Sequence, residues 1–229
     1  MMPDVSLNSI DRTVYERHSV RSFLADAVSD ETICEILSIA ARAPSGTNIQ
    51  PWKAYVVDRH KIDEVAAAIK ECGVKPERAT WSDYQYYPKP FFEPYLSRRR
   101  SVGAALYKLL HINRRDVSSM RSHFNRNFEF FGAPVGIFIS IDRRLEVGSW
   151  LDLGMFIQNV LIVAQGRGLA TCPQAAFAPF HENIRPIIKM PDNEILVCGI
   201  ALGFEDKSKP ENKLRTDRAP MNDWVKIVS

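Results

Sequence analysis

Ala43-Pro44-Ser45-Gly46-Thr47-Asn48-Ile49-Gln50-Pro51-Trp52 is the stretch on which the fold turns. Pro44 stops the helical pattern before it, because proline lacks an amide donor and clashes with the preceding turn. Ser45-Gly46-Thr47-Asn48 then reads as a loop, and Trp52 to Asp58 as a strand. Small hydroxyl and glycine residues let a backbone approach a ligand, and amide side chains can read ring heteroatoms. The same residues would also build a plain helix-to-strand turn.

Upstream, Ser29 with Asp30 and Glu31 announces a helix whose apolar stripe is Ile33, Ile36, Leu37 and Ala40, and Leu7, Ile10 and Val14 announce another. Downstream, Ile62, Val65, Ala66 and Ile69 give a further helix. From Cys72 to Tyr95 the pattern dissolves into aromatics (Trp81, Tyr84, Tyr86, Tyr87, Phe91, Phe92) and prolines such as Pro76 and Pro90. A loop this long must recover its ordering entropy by packing or by function. Helices are expected at 96–115, 118–131, 149–165 and 181–188, and strands at 134–142, 169–173 and 194–203. Strands alternate with helices, so the architecture is helices on a central sheet.

The 229 residues are 45% hydrophobic and 25% charged, which excludes disorder, collagen and coiled coil for the whole chain. At 26.0 kDa roughly 70% of the unfolded surface can be buried, enough for one core without staples. The net charge of +3 demands no nucleic acid. Cys34, Cys72, Cys172 and Cys198 form no CxxC and read as buried reduced thiols. No histidine pair has metal-ligand spacing beside a carboxylate, so no metal is expected. The N-terminus lacks a signal-peptide pattern and the apolar run 150–164 is too short to span a bilayer, so the expected location is the cytoplasm, with no membrane partner. GxGxxG, the P-loop, HExxH and GxSxG are all absent.

Three more segments carry chemistry. Arg17-His18-Ser19-Val20-Arg21 places two guanidiniums, a hydroxyl and an imidazole in five residues, and in extended geometry Arg17, Ser19 and Arg21 share a side. Gly168 to Phe177 brings a strand to Pro173 and then to small residues whose backbone N–H groups lie bare. Lys213-Leu214-Arg215, with Arg218 beyond, closes the series. In this order the four segments resemble the FMN-dependent nitroreductase family, with its R-x-S-x-R, A-P-S-x-x-N-x-Q-P-W, G-L-x-x-x-P and late K-x-R.

The resemblance implies a single α+β domain over 1–229, a sandwich with a central mixed sheet flanked by helices, forming an intertwined homodimer with one FMN in each of two interface clefts. Segment 73–131 would be an expansion over the active site, and 205–229 a C-terminal extension. Arg17, Lys213 and Arg215 would hold the flavin phosphate, with Ser19 near them, and His18 would contribute to ring contacts. Arg21 would face the N1–C2=O edge, where negative charge collects on reduction. Pro44, Ser45, Gly46 and Asn48 would come from the partner subunit. Pro173, Gln174, Ala175 and Ala176 would lie along the ring, with the Ala175 N–H donating to N5. Gln174-Ala175-Ala176 stands where some relatives carry an acidic residue and a glycine.

The activity so implied is NAD(P)H-dependent reduction of nitroaromatic or quinone acceptors by a ping-pong route, NAD(P)H being a transient co-substrate. Reductive dehalogenation, enoate reduction and flavin fragmentation on the same fold remain open. So do a non-catalytic flavin-binding protein and a basic interaction module using Arg98–Arg100 with Arg114 and Arg115.

Overall fold

A computed structural model describes residues 7–73 and 83–228; Pro76, Trp81 and the rest of 74–82 lie outside the described residues. Local chemistry sets most helix starts. Helix α1 (Ser9–Glu16) opens on a capping box, Asn8 Oδ1 accepting from the Asp11 amide at 2.9 Å and Asp11 Oδ2 from the Asn8 amide at 3.1 Å. Ser29 Oγ accepts from the Thr32 amide at 3.2 Å to start α2 (Asp30–Ala40), which ends before Pro44. After β1 (Trp52–Val57), Asp58 caps α3 (Arg59–Glu71). Next come α4 (Tyr95–Leu109) and α5 (Val117–Asn125), the latter capped by Asp116. Strand β2 (Val135–Asp142), helix α6 (Val147–Gly166), strand β3 (Ala170–Gln174), helix α7 (His181–Ile188) and strand β4 (Glu194–Gly203) complete the frame.

The helix expected over 118–131 stops at Asn125. Residues Arg126–Gly132 form a 3-10 segment in which Phe130 and Phe131 take φ of 50° and 56°. Packing explains the departure: the turn drives Phe130 fully into the core, where its ring stacks on Phe177 with centroids 4.5 Å apart. Two sheet glycines make room for these rings. A Cβ on Gly136 would stand 2.8 Å from Phe130, and one on Gly199 2.6 Å from Phe177.

The strand order is β1-β2-β4-β3, and every adjacent pair is antiparallel. The sheet expected to be mixed therefore has, among the described residues, one parallel element only, the edge bridge between Ser19 and Thr171. Each sheet face carries a core: α3, α7 and the phenylalanines on one, α2 and α6 on the other. Strand β2 is buried on both faces, as its unbroken apolar run implies.

Strand β3 ends opposite Gly199, which leaves the lower edge of β4 without a strand neighbour there. Tyr84 of the aromatic segment closes part of it, donating from its hydroxyl to Val197 O and tilting onto the Trp150 ring 4.8 Å away. The cysteines divide: Cys172 and Cys198 are buried, but Cys34 and Cys72 are exposed, contrary to the expectation of four buried thiols.

Candidate functional site

The N-terminal and C-terminal arginine segments converge on the outer edge of β3. Ser19 bridges to Thr171, and the Val20 amide donates to Thr171 O at 3.0 Å. Asn212, 2% exposed, clamps the other side: its Oδ1 accepts from the Arg21 amide at 2.7 Å, and its Nδ2 donates to Ser22 O at 2.8 Å and Asp206 O at 2.9 Å. The clamp brings Lys213 and Arg215 alongside Arg17–Arg21.

Guanidiniums gather here with little compensation. Arg17 is half-buried and its side chain has no hydrogen bond or ion pair among the described residues. Burial, and then the Arg218 cation, hold it below its ordinary pKa. Arg21 Nη1 donates to Ser19 O at 3.2 Å, and Arg215 Nη1 to Asn212 O at 2.8 Å and Leu214 O at 3.1 Å, so carbonyls rather than carboxylates face these charges. Lys213 is exposed. Cys172, behind Arg17 and Arg21, is pushed up to about 11 by burial, with the Arg21 and Arg17 charges and Ser19 opposing.

Farther down the same edge, Ala175 and Ala176 head the 3-10 segment Ala175–Phe180, which has no side-chain cap. The first N–H groups of such a turn have no acceptor within it, so donors stand bare where a flat ligand could receive them. Pro173, half-buried, precedes them in β3. The Gln174 side chain turns inward instead, its Nε2 donating to Asn127 O at 2.8 Å. Its Oε1 is buried with no partner. His18 is likewise engaged, with Nε2 3.1 Å from Glu205 Oε1 and Nδ1 3.0 Å from Glu16 O, so both ring nitrogens face protein groups.

Pro44–Asn48 lies elsewhere. Its strand, β1, forms the edge opposite β3, three strand spacings or about 14 Å away. Trp52 is in register with Ile141 and hence Ile195, whereas Thr171 faces Leu202, seven residues or about 24 Å along β4. The start of β1 and Thr171 of one chain thus sit diagonally across the sheet, about 28 Å apart. The loop is built with care all the same. Gly46 N donates to Asp152 Oδ2 of α6 at 3.1 Å, and Gln50 N to Ser45 Oγ at 3.0 Å. Thr47, Asn48 and Gln50 take φ of 49°, 62° and 52°. The Gly46 amide, which the sequence offered to a ligand, is spent on Asp152.

Several groups at the site carry no sequence signal. Arg126 donates to the buried Glu211 at 2.7 Å, tying the segment after α5 to the C-terminal clamp. His123, at the end of α5, is held down to about 4 by burial, with Arg126 and Arg21 reinforcing and Glu211 opposing. Asn212 and Asp152 act over separations of 191 and 106 residues, beyond any local pattern.

The Nitroreductase family model matches residues 14–204. Nitrobenzene nitroreductase of Ectopseudomonas oleovorans is 36% identical over 219 residues, covering 96% of both chains. Chloronitrobenzene nitroreductase of Comamonas testosteroni is 36% identical, with the same coverage. Among solved structures, the FMN- and NADPH-dependent nitroreductase NfnB from a sphigopyxis strain superposes with a TM-score of 0.93 at 33% identity, over 97% of this chain and 100% of its own.

Proposed function

The chain belongs to the nitroreductase family, and we propose from this premise that it is an FMN-dependent NAD(P)H oxidoreductase reducing nitroaromatic acceptors. The observation that carries the reading is the undercompensated arginine cluster on the edge that also bears the uncapped Ala175 turn. Guanidiniums with no carboxylate partner among the described residues, Arg17 and Arg21 half-buried and Arg215 exposed, suit a phosphate, which accepts two hydrogen bonds per guanidinium. The donor set therefore fits FMN: Arg17, Lys213 and Arg215 for the phosphate, Arg21 for the electron-rich edge of the ring, and the Ala175 amide for a ring nitrogen.

Bound FMN would supply the hydride transfer in both half-reactions, from NAD(P)H and to the nitro compound. The residues bind, orient and polarise: Arg21 offers a fixed positive charge, and Asn212 holds its backbone while sparing its guanidinium. No acid–base dyad is needed for this work. His18 serves by fixing the segment through Glu205.

A homodimer with shared clefts belongs to the same proposal. The chain exposes 14,464 Å², against about 10,500 Å² for a compact monomer of this mass. Helix α6 presents Val147, Leu151 and Met155 at 75%, 70% and 39% exposure, an apolar stripe at four-residue spacing that a second copy would cover. Sharing would also bring Pro44, Ser45 and Asn48 of one subunit to the flavin of the other. Exposed Cys34 and Cys72 suit a reducing, cytoplasmic setting.

Purified protein should be yellow, release FMN on denaturation, and oxidise NAD(P)H in the presence of a nitroarene. A colourless protein without turnover would overturn the activity. Arg17→Ala chains co-expressed with Asn48→Ala chains should recover about half the wild-type rate per heterodimer, one intact cleft of two. Activity no higher than the parent homodimers would refute the shared cleft.

A further inference from the structure

A groove of about 400 Å³ runs between α4 and the C-terminal segment 214–223, within the size range of small-molecule sites. Three guanidiniums line it: Arg98 from α4, and from the opposite wall Arg218 and Arg215, the last already assigned to the flavin phosphate. None has a carboxylate partner among the described residues. Arg98 lies 5.8 Å from the Tyr95 ring centroid, and Arg218 Nη1 donates to Thr216 Oγ1 at 2.8 Å and to two carbonyls. Between the cations, Val102, Ala105 and Leu214 make an apolar floor. Ser101 and Thr216 add hydroxyls, and Asp217 and Asp223 two carboxylates, which suit a sugar and leave the lining with one net positive charge.

The surroundings favour anions. Residues 88–126 hold nine Lys or Arg against two Asp or Glu, so the rest of the chain is net acidic. Arg215 lines the groove and is joined through Asn212 to the Arg21 backbone, so the groove adjoins the arginine cluster on β3. Its occupant should therefore combine a phosphate, a ribose and a flat apolar base, and belong to a molecule whose other end reaches the flavin. We propose that the groove seats the phosphorylated adenosine end of the reduced nicotinamide dinucleotide, with Arg98 gripping the phosphate. This rests on the reading of the protein as an NAD(P)H oxidoreductase. It names a seat for a dinucleotide in a chain that has no GxGxxG.

The test compares wild-type holoenzyme with Arg98→Ala and with Ala105→Trp, which fills the groove from an exposed position. Donors are NADPH, NADH and reduced nicotinamide mononucleotide, which has no adenosine. Both variants should raise KM for NADPH about tenfold, with kcat, KM for the nitroarene and FMN content unchanged. All three proteins should use the mononucleotide equally well. Arg100→Ala, on the same helix but outside the groove, should behave as wild type. An unchanged KM for NADPH, or an equal loss with the mononucleotide, overturns the proposal; so does recovery of FAD, whose adenosine half would then claim the groove. If wild type oxidises none of the donors, calorimetric titration of the holoenzyme with adenosine 2′,5′-bisphosphate decides. Binding abolished by Arg98→Ala keeps the groove while the donor reading falls; no binding removes the groove.

Discussion

Asp152→Ala separates flavin binding from folding. Asp152 is 8% exposed, and its one hydrogen-bond partner among the described residues is the Gly46 amide at 3.1 Å. A hydrogen bond to a charged group contributes about 1.5–3 kcal/mol. Beyond Gly46 the loop holds three non-glycine residues with left-handed φ, Thr47, Asn48 and Gln50, each costing about 1–3 kcal/mol and persisting only where neighbours impose it. Without the carboxylate, the side-chain restraints left on the loop backbone from outside the 3-10 turn come from the loop's own flanks: Ser45 Oγ on Gln50 N at 3.0 Å and Gln50 Nε2 on Asn48 O at 3.2 Å. The loop should then relax and carry Ser45 and Asn48 out of position.

We expect FMN affinity, followed by flavin fluorescence quenching on apoprotein, to fall by about 1.5–3 kcal/mol, roughly 10- to 150-fold. The melting temperature of the apoprotein should change little, because the lost bond is offset by relief of a buried charge and of loop strain. Asp152→Asn keeps an acceptor and loses only the charge assistance, so it should recover most of the affinity. Wild-type affinity in Asp152→Ala, or an Asp152→Asn variant as weak as Asp152→Ala with an unchanged melting temperature, would refute the reasoning.

Asn212→Ala removes three hydrogen bonds from a residue 2% exposed and should lower unfolding free energy in urea by about 2–4 kcal/mol; a loss under about 0.5 kcal/mol would mean the clamp is not structural. Under native conditions at pH 8, iodoacetamide should label Cys34 and Cys72 and spare Cys172 and Cys198, whose pKa values burial raises to about 11 and 12; mass spectrometry should find four labelled thiols only in denaturant. His123, held at about 4, binds fewer protons folded than unfolded between there and its ordinary value of 6.5. Its contribution is therefore fully present above about pH 6.5 and is lost as pH falls toward 4. His123→Asn should flatten the melting-temperature profile across that window relative to wild type, and parallel profiles would count against the burial of a neutral imidazole.

Where the determinant was local, the sequence was readable. Ser29, read as the start of a helix, caps α2 by reaching three residues ahead, whereas Asp58, read as the end of a strand, caps α3 in the same way. The apolar runs of β2 and β4 fall within a residue of their expected bounds, since burial on both faces leaves no alternation to misread. The left-handed pair Phe130 and Phe131 was invisible because their backbone answers to Phe177, across the fold. The arginine segments were legible as charge, but not as a cluster. Asn212 joins them through a contact that spans nearly the whole chain, and asparagine in a Pro-Glu-Asn-Lys run reads as a turn former.

Backbone held in a costly conformation persists where its surroundings impose it, by packing as at Phe130 and Phe131 or at a site that binds a ligand. On its own chain the Pro44–Asn48 loop leads into the end of β1 that lies diagonally across the sheet from Thr171, where the arginine segments gather. Yet a buried carboxylate from α6 is spent on its shape. Asp152 belongs to the same helix that exposes Val147, Leu151 and Met155, so the anchor of the loop and the apolar stripe are one rigid element. A second copy docking on that stripe would meet the loop already formed, and no ordering of the loop would be charged against flavin binding. Under the proposed shared cleft, the cost of its shape would be met within each subunit on folding, while the benefit would fall to the cleft of its partner.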